Sequence, residues 1–341
     1  TFFNSYNYSG IDVGYSSIKT SDSGYLVGGL GNSSEVLYVK YDENGNYDSY
    51  QNYNNGKSPV KKLITLNNNI NYSLCSGEID RIDNHATIIN STNVIGGGLY
   101  DLVECHDNNI IAVGSKVQTD TDVWLYKLNS SNLSDILINK TFDFGGDEIG
   151  VCVIPTNDNG YLLGCHTNNT GDGYLDIYII KVDSLGNKQW ENTFGGTQGD
   201  EINGVVQTQD DGFAIAGTYQ SNSGIWLIKI DSEGNYSWDK KYKTEVAYSQ
   251  GKDIVITSDN CFAILGYGEF GLGSSDICLI KVDSSGNFIW EKLFGGPDSD
   301  NCWELKLTED GFLITGVIEN DGDQDILLIK TDLDGNVETI K

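Results

Sequence analysis

Three observations predict an all-β chain folded as a seven-bladed β-propeller, with four antiparallel strands per blade and adjacent termini. The sequence repeats itself with a period of about 48 residues. Each copy holds four short runs of strand length, separated by turn residues. No segment sustains a 3.6-residue apolar period, so helix is expected to be nearly absent. The register is anchored by a basic residue followed two positions later by Asp or Asn, at Lys40, Arg81, Lys127, Lys181, Lys229, Lys281 and Lys330. Length alone, at roughly 150 residues per domain, points to two domains. The repeat instead predicts one domain over 1–341, with blades at 1–53, 54–94, 95–142, 143–194, 195–242, 243–294 and 295–341. The copy at 54–94 is the most worn.

The elements follow in order within a unit. The first strand runs near Val205–Thr208 and leads into a turn carrying Asp-x-Gly-aromatic, as in Asp22–Tyr25 and Asp158–Tyr161. The second is Phe213–Gly217 and the third Trp226–Ile230. An Asp-x-x-Gly-Asn turn then recurs at 42–46, 183–187, 231–235, 283–287 and 332–336. Gly supplies the positive φ of such a turn, and Asp bonds the local backbone. The fourth strand carries Trp190, Trp238 or Trp290 in three copies. Only 3 Pro occur, as ladder donors require. The last copy stops after Gly335-Asn336, where others continue to Thr-Phe, and the chain starts Thr1-Phe2-Phe3. The ends are therefore expected to meet at the end of an outermost strand, with little or no strand exchange.

Residues 190–196 read WENTFGG and 290–296 read WEKLFGG. With the Asp-x-Gly-aromatic turn and the Lys-x-Asp-x-x-Gly-Asn end, this pattern resembles a broad group of secreted and cell-surface bacterial and archaeal propeller repeats. The resemblance covers the chain except roughly 54–94. It implies the fold and a secreted or cell-surface location.

Composition narrows the function classes. Lys and Arg number 21 and Asp and Glu 49, a formal charge of −28. Phosphate binding needs clustered cations, and Arg81 is the single Arg, so a nucleic-acid partner is not expected. No apolar run approaches the roughly 18 residues of a membrane span. The chain starts at Thr1 and has no Met, as expected of a mature form or an excised piece from which any signal peptide has been removed. Asn-x-Ser/Thr sequons occur at Asn7, Asn32, Asn71, Asn90, Asn129, Asn132, Asn139, Asn168 and Asn235, consistent with a secreted glycoprotein. The 7 Cys are too sparse for a disulfide scaffold. Counting outward from a hairpin turn between Thr156 and Tyr161 sets Cys152 opposite Cys165, a candidate cross-strand disulfide; two buried thiols are the alternative.

Acidic residues recur at equivalent loop positions. Asp12, Glu148, Asp200 and Asp300 fall at the mouth of the innermost strand. Converging there, they would attract a cationic group or Ca²⁺; otherwise each caps its own loop. A second series comprises Glu35, Asp122, Asp176, Asp276 and Asp325. Its last member extends to Asp321, Asp323 and Asp325, spaced like half of a calcium loop, and Ca²⁺ is the one cofactor these loops suggest; a solvated hairpin is the alternative. Trp303, Tyr174, Tyr219 and Phe270 should share the loop face, with Tyr15, Tyr100 and Tyr248 beside them, and suit a protein hot spot or sugar stacking equally. The repeated Lys beside a repeated Asp reads as a structural pair.

Catalysis lacks its usual parts. His85, His106 and His166 occupy unrelated positions, and no Gly-x-Ser-x-Gly elbow, phosphate loop or His-Glu-x-x-His occurs. The expectation is a non-catalytic interaction module that binds a basic protein partner through an acidic, aromatic-bearing loop face. The alternatives are a lectin-like glycan binder and a carbohydrate-active enzyme using an acid pair such as Asp200 and Asp300.

Overall fold

A computed structural model describes residues 1–8, 10–32, 34–53, 59–75, 77–169, 175–219, 224–243, 248–271 and 274–337. Among these residues there is no helix, and the strands form seven four-stranded antiparallel sheets, a seven-bladed β-propeller. The chain divides into two compact units, Thr1–Ser91 with Val255–Lys341, and Thr92–Ile254.

In the first unit, blade 1 comprises Val13–Lys19, Tyr25–Gly31, Glu35–Tyr41 and Tyr47–Tyr53. Blade 2, the worn copy, is a full sheet of Val60–Thr65, Asn71–Cys75, Glu78–Ile82 and Ile88–Asn93. Blade 7 has Asn301–Thr308, Gly311–Asn320 and Asp323–Lys330. In the second unit, blade 3 comprises Gly98–Glu104, Ile110–Val117, Thr121–Asn129 and Asn132–Phe142. Blade 4 comprises Glu148–Pro155, Tyr161–Thr167, Asp176–Val182 and Lys188–Phe194, and blade 5 Glu201–Gln207, Phe213–Thr218, Ile225–Ile230 and Tyr236–Tyr242. Blade 6 is Ser249–Ile256, Phe262–Gly268, Asp276–Val282 and Phe288–Phe294.

The third strand of blade 4 is apolar on both faces because each face meets another blade of the same unit. Every residue of Asp176–Val182 is buried. Ile177 and Ile179 pack with Ile202, Phe213 and Ile215 of blade 5. Tyr178, Ile180 and Val182 pack with Val113, Leu125 and Val153 on the other side. The period of two is intact, but both phases are apolar. The outermost strand Lys188–Phe194 has no fully buried residue.

The repeated Lys is buried in this apolar setting, and its counter-ion differs from the expected one. Lys181 is 4% exposed, and its Nζ lies 2.8 Å from Asp158, in the turn between the first two strands, rather than beside Asp183 two residues on. The same pair recurs as Lys40–Asp22, Lys127–Asp107, Lys229–Asp210, Lys281–Asp259 and Lys330–Asp310, at 2.7 to 3.0 Å. Asp183 serves its own turn: Oδ1 accepts the N–H of Leu185 and Asn187, and Oδ2 accepts the Asn187 amide. In the pair, burial pushes the carboxyls of Asp22 and Asp158 up, but the Lys ammonium and the turn's Thr hydroxyl outweigh it and hold them at about 2. For Asp259 and Asp310 the Lys hydrogen bond is the largest influence, again to about 2.

The outer rim joins blades through Trp and Gly. The Trp190 ring lies over Gly234 in the turn of blade 5, where a Cβ would come within 2.6 Å of it, and Asn192 Nδ2 donates to Gly234 O at 2.9 Å. Gly234 also has φ +83, so the turn needs glycine twice over. The same arrangement corrects the expected closure. Phe2–Tyr6 pairs with Asp323–Lys330 as the outermost strand of blade 7, so one whole strand is exchanged. Phe2 stands opposite Lys330 as Trp190 stands opposite Lys181. Phe2 covers Gly45 of blade 1, and Asn4 donates to Gly45 O. The N-terminal Phe-Phe-Asn thus matches Trp-Glu-Asn, not the later Thr-Phe.

Two outcomes follow. Phe2→Ala should destabilise the protein by about 3 kcal/mol, read by urea unfolding; an effect under about 1 kcal/mol would contradict strand exchange as a seal. The lowered Asp values place the pH window: their stabilisation is complete above the ordinary carboxyl value of 3.8 and is lost as pH falls through about 2. Fluorescence-monitored stability should decline across that interval, and a stability unchanged down to pH 2 would refute it.

Candidate functional site

The four acids expected at the strand mouths are all 0% exposed, and their carboxylates are occupied by nearby backbone and hydroxyl donors. Asp300 Oδ2 accepts the N–H of Gly296 at 2.6 Å and Oδ1 that of Glu319 at 3.0 Å. Asp200 accepts Gly196 N–H at 2.9 Å, Asp12 accepts the N–H of Tyr8 and Asn32, and Glu148 accepts Phe144 N–H and the Thr167 hydroxyl. Their own N–H groups reach the preceding blade: Asp12 to Gln324 O, Asp200 to Leu175 O and Asp300 to Ser275 O, at 2.7 to 2.8 Å. Burial raises the carboxyls of Glu148 and Asp300. These residues cap loops and staple blades, which corrects the expectation that their carboxylates face a partner. Asp200 and Asp300, offered above as an acid pair, are each sealed within a loop.

The expected calcium triplet is also corrected. Asp321 and Gly322 have φ +53 and +83 and form a two-residue hairpin turn between paired Asn320 and Asp323. Asp323 accepts the Asn7 amide, and Asp325 is buried in the strand. These three do not come together as a ligand group; among the described residues, Asp120, Asp122 and Asp143 do.

The hairpin of blade 4 closes one residue earlier than expected, because the turn includes Thr156, whose N–H bonds Gly160 O. Cys152 therefore faces Gly164, and a bulge at Val151 leaves Cys165 facing Gly150. Both are buried thiols, as are the other five cysteines, and the proposed disulfide is absent.

The innermost strands carry a feature that the sequence reading missed. A β-bulge recurs at one equivalent place in blades 1, 2, 3, 4, 5 and 7. The bulged residues are Tyr15, Lys61, Tyr100, Val151, Asn203 and Trp303. A bulge re-aims a side chain out of the alternation, so these positions can vary without disturbing the core. In the first unit Tyr15 and Trp303 meet edge to face at 5.2 Å.

The next residue ties one blade to the next. Ser16 Oγ accepts Leu63 N–H at 2.8 Å, and Asp101 Oδ2 accepts Val153 N–H at 3.0 Å. Glu304 does most: Oε2 accepts Ser17 N–H at 2.8 Å, both oxygens accept the Ser16 hydroxyl, and Lys62 and Lys306 lie 3.0 and 3.2 Å away. Desolvation acts to raise this fully buried carboxyl, but Lys306, Lys62 and the hydrogen bonds hold it below the usual range. Blades 7, 1 and 2 are thereby joined by one buried charge.

A second candidate lies in the second unit. Asn192, Thr193, Phe194, Gly195, Trp226, Ile228 and Tyr236 line an open cleft of about 420 Å³. Tyr236 is 58% exposed, and its hydroxyl donates to Asp239, which also accepts Trp226 Nε1 at 2.8 Å. Tyr219, one of the expected aromatics, packs edge to face on Trp226, with Lys241 Nζ 3.7 Å from its ring centre. Phe270 is half-buried elsewhere, in the loop after Phe262–Gly268, and Tyr174 lies outside the described residues. The three His stay in separate blades.

No family model and no curated protein sequence matches the chain. Solved structures do. A streptogramin B lyase has a TM-score of 0.62 at 11% identity, covering 96% of this chain and 97% of that one. The Neurospora crassa Pan2 WD40 domain has a TM-score of 0.60 at 8% identity, covering 96% and 99%. BBS1N, solved in complex with ARL6DN, has a TM-score of 0.60 at 10% identity, covering 97% and 96%. At these identities the likeness is one of fold.

The Glu304 tie is testable. Glu304→Gln keeps the shape but leaves two ammonium groups beside a neutral amide, and should destabilise by about 2 kcal/mol in denaturant unfolding. A change within about 0.3 kcal/mol would show the network to be dispensable.

Proposed function

We propose that this chain is a non-catalytic interaction module, secreted or at the cell surface, that binds a protein partner presenting a basic surface. The observation that carries this reading is where the charges lie. Six of the 20 Lys are buried in the pairs within blades, which leaves 14 Lys and Arg81 against 49 Asp and Glu. The acids of those pairs and of the Asp-x-x-Gly-Asn turns are at the surface. Such a surface steers a basic partner and makes association salt-dependent. The cleft at Tyr236 and Trp226 supplies the aromatic contact that a hot spot needs. Sequon asparagines other than Asn71 are exposed or half-exposed, which suits the extracellular reading. BBS1N, a structural neighbour, was solved bound to a protein.

A carbohydrate reading has one observation in its favour. The same cleft sets aromatic rings beside Asn192, Thr193 and Asp239, the pairing of stacking face and hydrogen-bonding groups that sugars use.

Affinity capture from an extracellular fraction at low and at about 0.5 M salt tests the first reading. Basic proteins should be recovered at low salt and lost at high salt. Tyr236→Ala should weaken capture about tenfold while leaving thermal unfolding unchanged. Recovery indifferent to salt, or glycan-array binding that Tyr236→Ala abolishes, would displace the protein-partner reading.

A further inference from the structure

Two positions recur where the outer strands of neighbouring blades meet. One is the last residue of an outermost strand, and the other is the residue after the Asp-led turn of the next blade. Tyr53, Phe142, Phe194, Phe294 and Tyr6 hold the first, since they pair with Val36, Val123, Ile177, Ile277 and Ile326. Within the units, the matching residues at the second are Ile88, Lys188, Tyr236, Val337 and Tyr47. Of these five seams, that of blades 7 and 1 alone carries a phenol on both sides. It is also the seam at which the first strand of the chain, Phe2–Tyr6, completes blade 7.

The two phenols meet. Tyr6 and Tyr47 are stacked, with ring centres 4.8 Å apart and planes 11° apart. Tyr47 is 50% exposed and Tyr6 is half-buried. Burial, then a hydrogen bond between the two hydroxyls, holds the Tyr6 phenol up. Near-parallel rings with their hydroxyls joined have their ortho carbons, the Cε atoms beside each C–O bond, side by side. The backbone on both sides is fixed. Tyr6 stands opposite Ile326 and Tyr47 opposite Tyr41, and Asn4 donates to Gly45 O between the same two strands. The neighbouring tyrosines are less well placed. Tyr50 is tilted 39° from Tyr6 at 6.3 Å, and Tyr8 is tilted 57° from Tyr50 at 5.0 Å. The Tyr8 hydroxyl accepts the Asn52 amide at 2.5 Å.

We propose that Tyr6 and Tyr47 are a site of oxidative cross-linking, at which a dityrosine bond staples the first strand to blade 1. A phenoxyl radical carries much of its unpaired spin on the ortho carbons, which are the atoms this stack brings together. Each tyrosine loses one electron and its hydroxyl proton. The two radicals join through a Cε–Cε bond, and the hydrogen on each bonded carbon moves to its oxygen, restoring both phenols. Two hydrogen atoms leave in all. The oxidant is hydrogen peroxide acting through a haem peroxidase, and it takes up those two electrons and two protons to become two waters. Tyr47, the exposed member, is the point at which an electron is first withdrawn. The bond closes the chain between residues 6 and 47, which restricts the unfolded ensemble as any cross-link does. The coupling is independent of what the acidic surface binds.

Treatment of the dilute full chain with a haem peroxidase and an equimolar amount of hydrogen peroxide tests this. Peptide mapping by mass spectrometry should find one linked pair, short of two hydrogen atoms, with fragment ions placing the bond on Tyr6 and Tyr47. Tyr6→Phe and Tyr47→Phe keep the stacked rings and should each abolish the link, while Tyr50→Phe should leave its yield unchanged. The linked protein should melt at a higher temperature than untreated protein, and peroxidase-treated Tyr47→Phe should show no such rise. Absence of the link, links spread over other tyrosine pairs, links only between molecules, or a yield indifferent to Tyr6→Phe and Tyr47→Phe would each overturn the site. A Tyr6–Tyr47 link that leaves the thermal midpoint unchanged would overturn its role as a staple.

Discussion

A buried ammonium in the third strand is the constraint around which each ordinary blade is organised. Lys181 is buried in a mostly apolar strand, with Gln189 Oε1 and Val182 O as neutral acceptors of its ammonium, and a charge so placed needs a counter-charge at fixed geometry. Asp158 supplies it from the turn between the first two strands. Thr156 steadies the carboxylate, and the following Gly160 must lack a side chain, because a Cβ there would fall 2.3 Å from the Val182 carbonyl oxygen as well as 2.6 Å from the Lys181 Nζ. Gly212 stands in the same relation to Lys229. Thr-x-Asp-x-Gly and the distant Lys are therefore one device, which holds three strands of a sheet in register. The device also takes six Lys into the blades, while their Asp partners stay at the surface.

Blade-to-blade contact uses two further repeated devices. At the rim, an aromatic of one blade lies on a turn glycine of the next, with an Asn amide beside it. Near the inner strand, an acid caps its own loop while its N–H reaches the preceding blade. Recurring acids are thus mostly architectural. The acids that break the repeat are the informative ones. Glu304 takes a place held by Ser16 and Asp101 in other blades and gathers two Lys around it. Asp143 takes a place held by Gly195 in blade 4, Gly295 in blade 6 and Lys243 in blade 5. Departure from the repeat, rather than abundance of charge, marks where the scaffold has been adapted.

Much of the fold was legible in the residues. The period, the four strands and both turn types follow from Gly, Asp and Lys spacing, since each of those residues answers a local backbone need. Blade 2 was faint for a specific reason: its Asp83 turn has Ala86 at φ +60 where blades 1, 4, 5, 6 and 7 have Gly. Ring closure was misread because Phe2 does the work of Trp190, an aromatic substitution that hides the match. The site was far less legible. Spacing placed Asp12, Glu148, Asp200 and Asp300 at equivalent positions, but an acid that caps a loop and one that faces solvent look alike in sequence. The bulges at Tyr15 and Trp303 shift register by one residue, which no alternation pattern announces. The cleft at Tyr236 joins two blades and exists only in three dimensions.

The claim that the Lys–Asp pair sets the blade is tested most directly by a double-mutant cycle on Lys181→Met and Asp158→Ala, read by denaturant unfolding. Asp158→Ala alone strands a buried ammonium and should destabilise by about 2–3 kcal/mol. Adding Lys181→Met removes that charge, so the double variant should be more stable than Asp158→Ala, with a coupling of at least about 1 kcal/mol. Additive effects, with coupling within about 0.3 kcal/mol of zero, would contradict the account.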